Sequence, residues 1–223
     1  IVPFMSVLYI LGALVVIALN LQNLPAAILS VFEYAFTGRA AVGGFAGATF
    51  ASCIRWGVCR GVYSNDAGVG YSTIAHAVAE VTHPIQQSMW GIFEVFFDTL
   101  VVCSMTCIVI LTTGVWTNQG VKAATLTATA FQSTLGSFGS LIVTVSLVLF
   151  TFTTACAQVE FGTTTLATLI GEKFKKAGRV VMIALIFGGG ITGIEALINY
   201  VDFALFLTIF FNLIGVYYRY GDV

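Results

Sequence analysis

Residues 60–77, RGVYSNDAGVGYSTIAHA, lie inside a longer segment, Val42 to Val78, that otherwise reads as a membrane helix. In its middle stand Ser64, Asn65, Asp66 and Gly68, then Gly70 and Ser72. A carboxylate within the hydrocarbon layer costs on the order of 2.5–3.5 kcal/mol by insertion scales. The glycines and the Asn beside it favour leaving helical geometry. Irregular backbone at membrane depth is tolerated only where it is buried in protein or lines a cavity. A helix broken at mid-membrane by small polar residues is the construction transporters use for a substrate and ion site. The same residues admit a plainer reading, a glycine kink whose Asp pairs with one neighbour.

Composition sets the surroundings of this stretch. Of 223 residues, 58% are hydrophobic and only 9% charged, against about 25% charged in soluble domains. The chain is therefore an integral membrane protein. A net charge of −1, with no basic stripe, gives no footing for nucleic acid. The chain opens at Ile1, already inside an apolar run, and is expected to be an internal piece of a longer protein. Cys53, Cys59, Cys103, Cys107 and Cys156 all fall in apolar spans. Cys103 and Cys107 are one helical turn apart, a spacing shared with metal ligands. His76 and His83 are not placed to complete such a site, so buried small hydrophobes is the expected role.

Enzyme chemistry lacks its parts: the sequence has no H-E-x-x-H, no G-x-S-x-G and no second histidine near a nucleophile. A P-loop is also absent from it. A passive channel would need a continuous polar face along several spans, whereas polarity here concentrates at mid-membrane in two.

Worked outward, the pattern predicts six spans. The first is 2–19, with Pro3 suited to a first helical turn. Ala26–Phe36, short and carrying Glu33, reads as an interfacial helix, and Thr37-Gly38-Arg39 as a turn. The second span is 42–78, broken at 63–68. Its first half carries Gly43, Gly44, Gly47 and Ala48, small residues that let helices approach closely. Arg55 and Arg60 should face protein or a cavity. The third span is 89–115, where Glu94 and Asp98 share a face, as a proton or cation relay or as structural partners of Arg55 or Arg60. A polar stretch at 116–137 has material for a short helix over 123–135. The fourth span, 138–161, groups Thr151, Thr153 and Thr154. Such hydroxyls usually bond back to the preceding turn, though two together also offer oxygens to a small hard cation. The charged stretch 171–179 reads as a cytoplasmic loop. The fifth span, 180–197, is interrupted by Gly188–Gly190 and Gly193, and the sixth, 200–218, ends in an aromatic belt. With 171–179 inside, loop Lys and Arg number five inside (Lys173, Lys175, Lys176, Arg179, Arg219) and two outside (Arg39, Lys122).

R-G-x-Y-S-N-D-A-G-x-G at 60–70, I-A-H-A at 74–77, H-P at 83–84 and F-x-D-T-L-V-V-C at 96–103 resemble the sodium:alanine/glycine symporters, the alanine or glycine:cation symporter family. V-P-F-M-x-x-x-Y at 2–9 fits as well. The resemblance implies an all-α integral membrane fold of the leucine-transporter (amino acid–polyamine–cation) type. The six spans would stand for its helices 5 to 10, leaving the N-terminal helices 1 to 4 outside this chain. It implies sodium-coupled symport of a small neutral amino acid, alanine or glycine, across the plasma membrane. No cofactor is implied beyond sodium as the co-transported ion. Tyr63, Ser64, Asn65, Asp66, Ala67 and Gly68 would form the substrate-binding unwound stretch. Thr153 and Thr154 would lend hydroxyls to a sodium ion. Proton coupling and a truncated, non-transporting fragment are the alternatives. The family usually has Glu where Asp66 stands, Phe at Tyr63, and Ser-Ala-Pro where this chain has Tyr71-Ser72-Thr73. These departures bear on substrate preference.

Overall fold

The structure, a computed structural model, describes residues 2–36, 46–118, 120–122, 125–192 and 194–219, apart from the side chains of 34–36, 46–53 and 194–199. The turn expected at 37–39 and the start of the second span lie outside the described residues, as does the side chain of Cys53. The regular elements are all helices, with no strand among the described residues. This is the solution a bilayer demands, because only a helix or a closed barrel satisfies its own backbone in hydrocarbon.

In chain order come α1 (Val2–Leu19), a short 3-10 turn, α2 (Leu24–Phe36), α3 (Ala46–Ser64), the six-residue α4 (Tyr71–His76) and α5 (Pro84–Phe96). A π-helical stretch, Phe97–Cys103, joins α5 to α6 (Ser104–Thr113); α7 (Leu126–Ile170), α8 (Lys175–Thr192) and α9 (Ile194–Arg219) follow. Among the described residues, four stretches are long and apolar enough to cross a membrane: Val2–Leu19, Pro84–Thr113, Leu126–Ile170 and Tyr200–Arg219. They fall on the first, third, fourth and sixth expected spans. The second falls on α3–α4, and the fifth on α8 and, past Thr192, on the first residues of α9, which begins at Ile194 rather than at 200; α3 carries Arg55 and Arg60, and α8 Lys175, Lys176 and Arg179. Each such charge sharply raises the cost of insertion.

The chain divides into two compact units, Ile1–Gly61 with Ile92–Thr151, and Val62–Gly91 with Phe152–Val223. In the first, α1 turns Tyr9, Ala13 and Val16 onto one face, against Val109 of α6 and Ala130, Phe131, Ile142 and Val143 of α7. Gly136, at φ 63° and ψ −148°, bends α7 into arms 126–135 and 137–170. That conformation is open essentially to glycine alone. The helix expected over 123–135 is the first of these arms. A Cβ on Gly12 would sit 3.1 Å from Phe131 on one arm and 3.2 Å from Ile142 on the other. The bare glycine thus lets α1 seat itself in the elbow of α7. Three polar side chains around this core are paired: Tyr9 with the Thr106 hydroxyl at 2.6 Å, the Asn20 amide donating to Thr134 at 3.0 Å, and Asn23 donating to the Thr112 carbonyl at 2.9 Å.

In the second unit, the later arm of α7 and α8 approach through glycines. A Cβ on Gly162 would collide with Met182, and one on Gly178 would lie 2.7 Å from Leu166. Glu160 and Arg179 pair across the same two helices at 3.2 Å. Two expectations change here. The charged loop ends at 174: after Gly171, at φ 114°, and a turn over Glu172–Phe174, Lys175 already begins α8. Lys and Arg are good helix formers and extend the helix readily. Gly188–Gly190 also fails to interrupt α8, which runs on to Thr192. Without water to compete, the glycine backbone keeps its helical hydrogen bonds. A third correction concerns the cysteines: Cys59, Cys103, Cys107 and Cys156 are exposed on the chain's surface, not buried. Lipid solvates apolar side chains as well as a protein core does, so apolarity does not drive them inward.

Candidate functional site

The interruption expected at 63–68 lies at 65–70, between α3 and α4. Tyr63 and Ser64 close the last turn of α3, and Asn65, Asp66, Ala67 and Gly68 form the break itself. Helix α3 ends in a Schellman arrangement. The Ala67 amide donates to the Val62 carbonyl at 3.0 Å, and the Asp66 amide to the Tyr63 carbonyl at 3.4 Å. That pairing requires a left-handed residue at the position after the cap, and Asp66 fills it at φ 51°. Glycine is the usual occupant; Asp tolerates the region at some cost. The shift of the break by two residues follows, since the carbonyls of Val62 and Tyr63 remain paired through the motif.

Beyond Asp66 the chain does not resume its helix at once. The Val69 amide donates to the Asp66 carbonyl at 3.1 Å, closing a tight turn. Gly68 and Gly70 follow at φ 77° and 96°. Val69 between them is buried, at 6% exposure, and anchors the turn. Helix α4 then starts from Gly70, whose carbonyl accepts from the Thr73 hydroxyl at 2.6 Å. Tyr63 is 53% exposed, with Ser64 and Ala67 also exposed and Asn65 and Asp66 half-buried. Five consecutive residues therefore present a hydroxyl, an amide, a carboxylate and non-helical backbone in one short stretch.

Asn212 and Phe161, not singled out in the sequence, hold this stretch in place. The Asn212 amide of α9 donates to the Gly68 carbonyl at 2.9 Å, and a Cβ on Gly70 would lie only 3.4–3.5 Å from the same amide. Tyr71, the first residue of α4, stacks on Phe161 of α7 with ring centroids 6.0 Å apart. The signal for Asn212 was available: a lone amide among Ile209, Phe210, Phe211 and Leu213 is costly unless it has a partner. Phe161 gave no such signal, since an aromatic in a membrane helix is unremarkable; Tyr71 stood out only as a departure from the family pattern.

Thr153 and Thr154 lie on α7, about two turns before Phe161. Thr153 is half-buried and Thr154 exposed. Adjacent helical residues point about 100° apart, so the two hydroxyls do not share one direction. In the other unit, Glu94 and Asp98 do come together. With Ser6, Tyr9 and three phenylalanines they line a cavity of about 270 Å³. The π-helix begins at Phe97, between the two carboxylates.

Comparison with known sequences bears on the same stretch. The sodium:alanine symporter family matches residues 1–221. The transporter YflA of Bacillus subtilis (strain 168) is 38% identical over 218 residues, covering 97% of this chain and 46% of that protein. The sodium/alanine symporter AgcS of Methanococcus maripaludis is 36% identical over 226 residues, covering 100% of this chain and 49% of that protein. The sodium/proton-dependent alanine carrier protein of Bacillus sp. (strain PS3) is 30% identical over 234 residues, covering 97% and 52%. The chain thus spans about half the length of these relatives.

Proposed function

Because the chain belongs to the sodium:alanine symporter family, we propose that it is part of a secondary active transporter that couples sodium to the uptake of a small neutral amino acid, alanine or glycine, across the plasma membrane. The family is one of transporters, not of enzymes. The observation that carries the reading is the break itself: a helix ended by a left-handed Asp66 and restarted after Gly70, within an otherwise apolar chain. We place the amino acid against Tyr63–Gly68, with Asn65 and the backbone as hydrogen-bonding groups. Sodium takes hydroxyl oxygen from Thr153 and Thr154, with further ligands from outside this chain. In this reading the six expected spans are helices 5 to 10 of a leucine-transporter fold, α3–α4 being its broken sixth helix.

Coupling then needs no covalent step. Sodium bound in the outward-open state stabilises that state and preorganises the amino-acid site, so the ion gradient drives uptake by differential affinity. The relevant test is uptake of labelled alanine by the complete protein in proteoliposomes, with and without an inward sodium gradient. Gradient-dependent uptake is expected, and its absence for every small amino acid would sink the assignment. Proton coupling is the second reading, favoured by a relative that is named a sodium/proton-dependent carrier. Uptake driven by an imposed pH gradient in sodium-free medium would select it.

A further inference from the structure

Phe152, Ala155 and Val159 of α7 and Ile183, Ile186 and Phe187 of α8 line an open groove of about 600 Å³. Both sets recur every three or four residues, so each lies along one face of its helix. From 179 to 187 the groove runs about 12 Å along α8. Glu160 and Arg179 line it too, and they bridge the two helices at 3.2 Å. Toward the 171–174 turn the helices draw close, since a Cβ on Gly178 would lie 2.7 Å from Leu166. The groove thus has a narrow charged end, with apolar walls leading away from it.

The charge at that end is basic. Four of the chain's nine Lys and Arg stand at 173–179, and over 160–179 they face only Glu160 and Glu172 as acids. Lys175 and Lys176 precede Arg179 by four and three residues on α8, which sets all three along one side of the helix. Arg179 gives one N–H to Glu160 of the five that a guanidinium carries, so it keeps donors for an anion.

From this juxtaposition we infer that the groove is a docking site for one anionic phospholipid, an acyl chain between α7 and α8 and the phosphate at Arg179, Lys175 and Lys176. Lipid tails are as apolar as the groove walls, so a chain covers them without loss. The basic end then selects the headgroup, because guanidinium and ammonium donors suit phosphate oxygens and each cation near the surface favours an anionic lipid. A free phosphate would leave the apolar walls uncovered, and a neutral phospholipid would leave the excess positive charge unmet. The turn at 171–174, expected on the cytoplasmic side, sets this end at the leaflet of negative surface potential. Occupancy of the groove does not depend on which ion or amino acid is carried.

The test puts the complete protein in phosphatidylcholine nanodiscs doped with phosphatidylglycerol that carries a photoreactive diazirine in its acyl chain, and maps the adducts after irradiation. They are expected to concentrate on 152–159 and 180–187. A phosphatidylcholine probe with the same chain, at the same mole fraction, should label these peptides about thirtyfold less, the preference that two net cations confer. Lys176→Gln, at an exposed position, is expected to lower that preference about fivefold. Ile183→Trp, which fills the middle of the groove, should abolish labelling there by both probes. Equal labelling by the two probes, or a preference unchanged in Lys176→Gln, would overturn selection of an anionic lipid and the proposal with it. An unlabelled groove would mean that a second copy or another part of the protein covers it, and labelling undiminished in Ile183→Trp would put the chain elsewhere; either result overturns the site.

Discussion

The side-chain amide of Asn212 donates to the main-chain carbonyl of Gly68 at 2.9 Å, tying α9 to the broken stretch across 144 residues of sequence. The bond satisfies a carbonyl that helix breakage has freed. Asn212→Leu should remove it and cost about 1–2 kcal/mol through the stranded carbonyl. Initial alanine uptake in proteoliposomes is expected to fall about tenfold, with a lower melting temperature in detergent. Wild-type uptake by a stable Asn212→Leu protein would show that the tether does not position the site.

Asp66 combines a left-handed backbone with a charge, and the two roles can be separated. Asp66→Gly relieves left-handed strain of about 1–2 kcal/mol, while Asp66→Asn keeps a residue tolerant of that region and removes the charge. Both variants are expected to melt at or above the parent temperature, yet to transport less in a sodium gradient. Full transport by Asp66→Asn would confine Asp66 to shaping the turn.

The two threonines of α7 should not contribute equally. Thr153 is half-buried and Thr154 exposed, about 100° apart around the helix axis. Thr153→Ala is expected to raise the sodium concentration giving half-maximal uptake more than Thr154→Ala does. Sodium titrations that coincide for both variants and the parent would remove this pair from the ion site.

Packing at the elbow of α7 predicts a contrast between two glycines. A side chain at Gly12 would press on Phe131 and Ile142, whereas a Cβ on Gly57 would meet nothing within 4 Å. Gly12→Val should destabilise by about 1–3 kcal/mol, as overpacked cores do. Thermal melts of Gly12→Val and Gly57→Val side by side would check this, and equal melting temperatures would contradict the nesting of α1 in that elbow.

Ser146 supplies a change in the other direction. Its hydroxyl is fully buried, without a hydrogen-bond partner among the described residues. A buried hydroxyl left unpaired costs roughly 1–3 kcal/mol, so Ser146→Ala should raise the melting temperature without altering uptake. A lower melting temperature would reveal a partner for the hydroxyl.

The sequence by itself determined the solvent and the elements. A chain with 9% charged residues belongs in lipid, and lipid allows it helices. The cluster Asn65, Asp66, Gly68 and Gly70 marked the broken helix, because those residue types are expensive in a membrane helix and inexpensive outside one. Its position was legible only to within two residues, since Asp66 rather than Tyr63 takes the left-handed cap. Gly136 and Gly188–Gly190 show why local propensity stops there: one glycine breaks α7 into two arms while three in a row leave α8 uninterrupted. The difference is tertiary. At Gly136 the turn lets both arms of α7 pack on α1, and a Cβ on neighbouring Gly139 would collide with the Phe131 carbonyl. Along α8, nothing lies within 4 Å of a Cβ on Gly188 or Gly190, so no packing gain offsets the broken backbone bonds. Asn212 and Phe161 became part of the site for the same reason. Contacts between residues far apart in sequence leave no periodic trace along the chain, and only folding brings them to Gly68 and Tyr71.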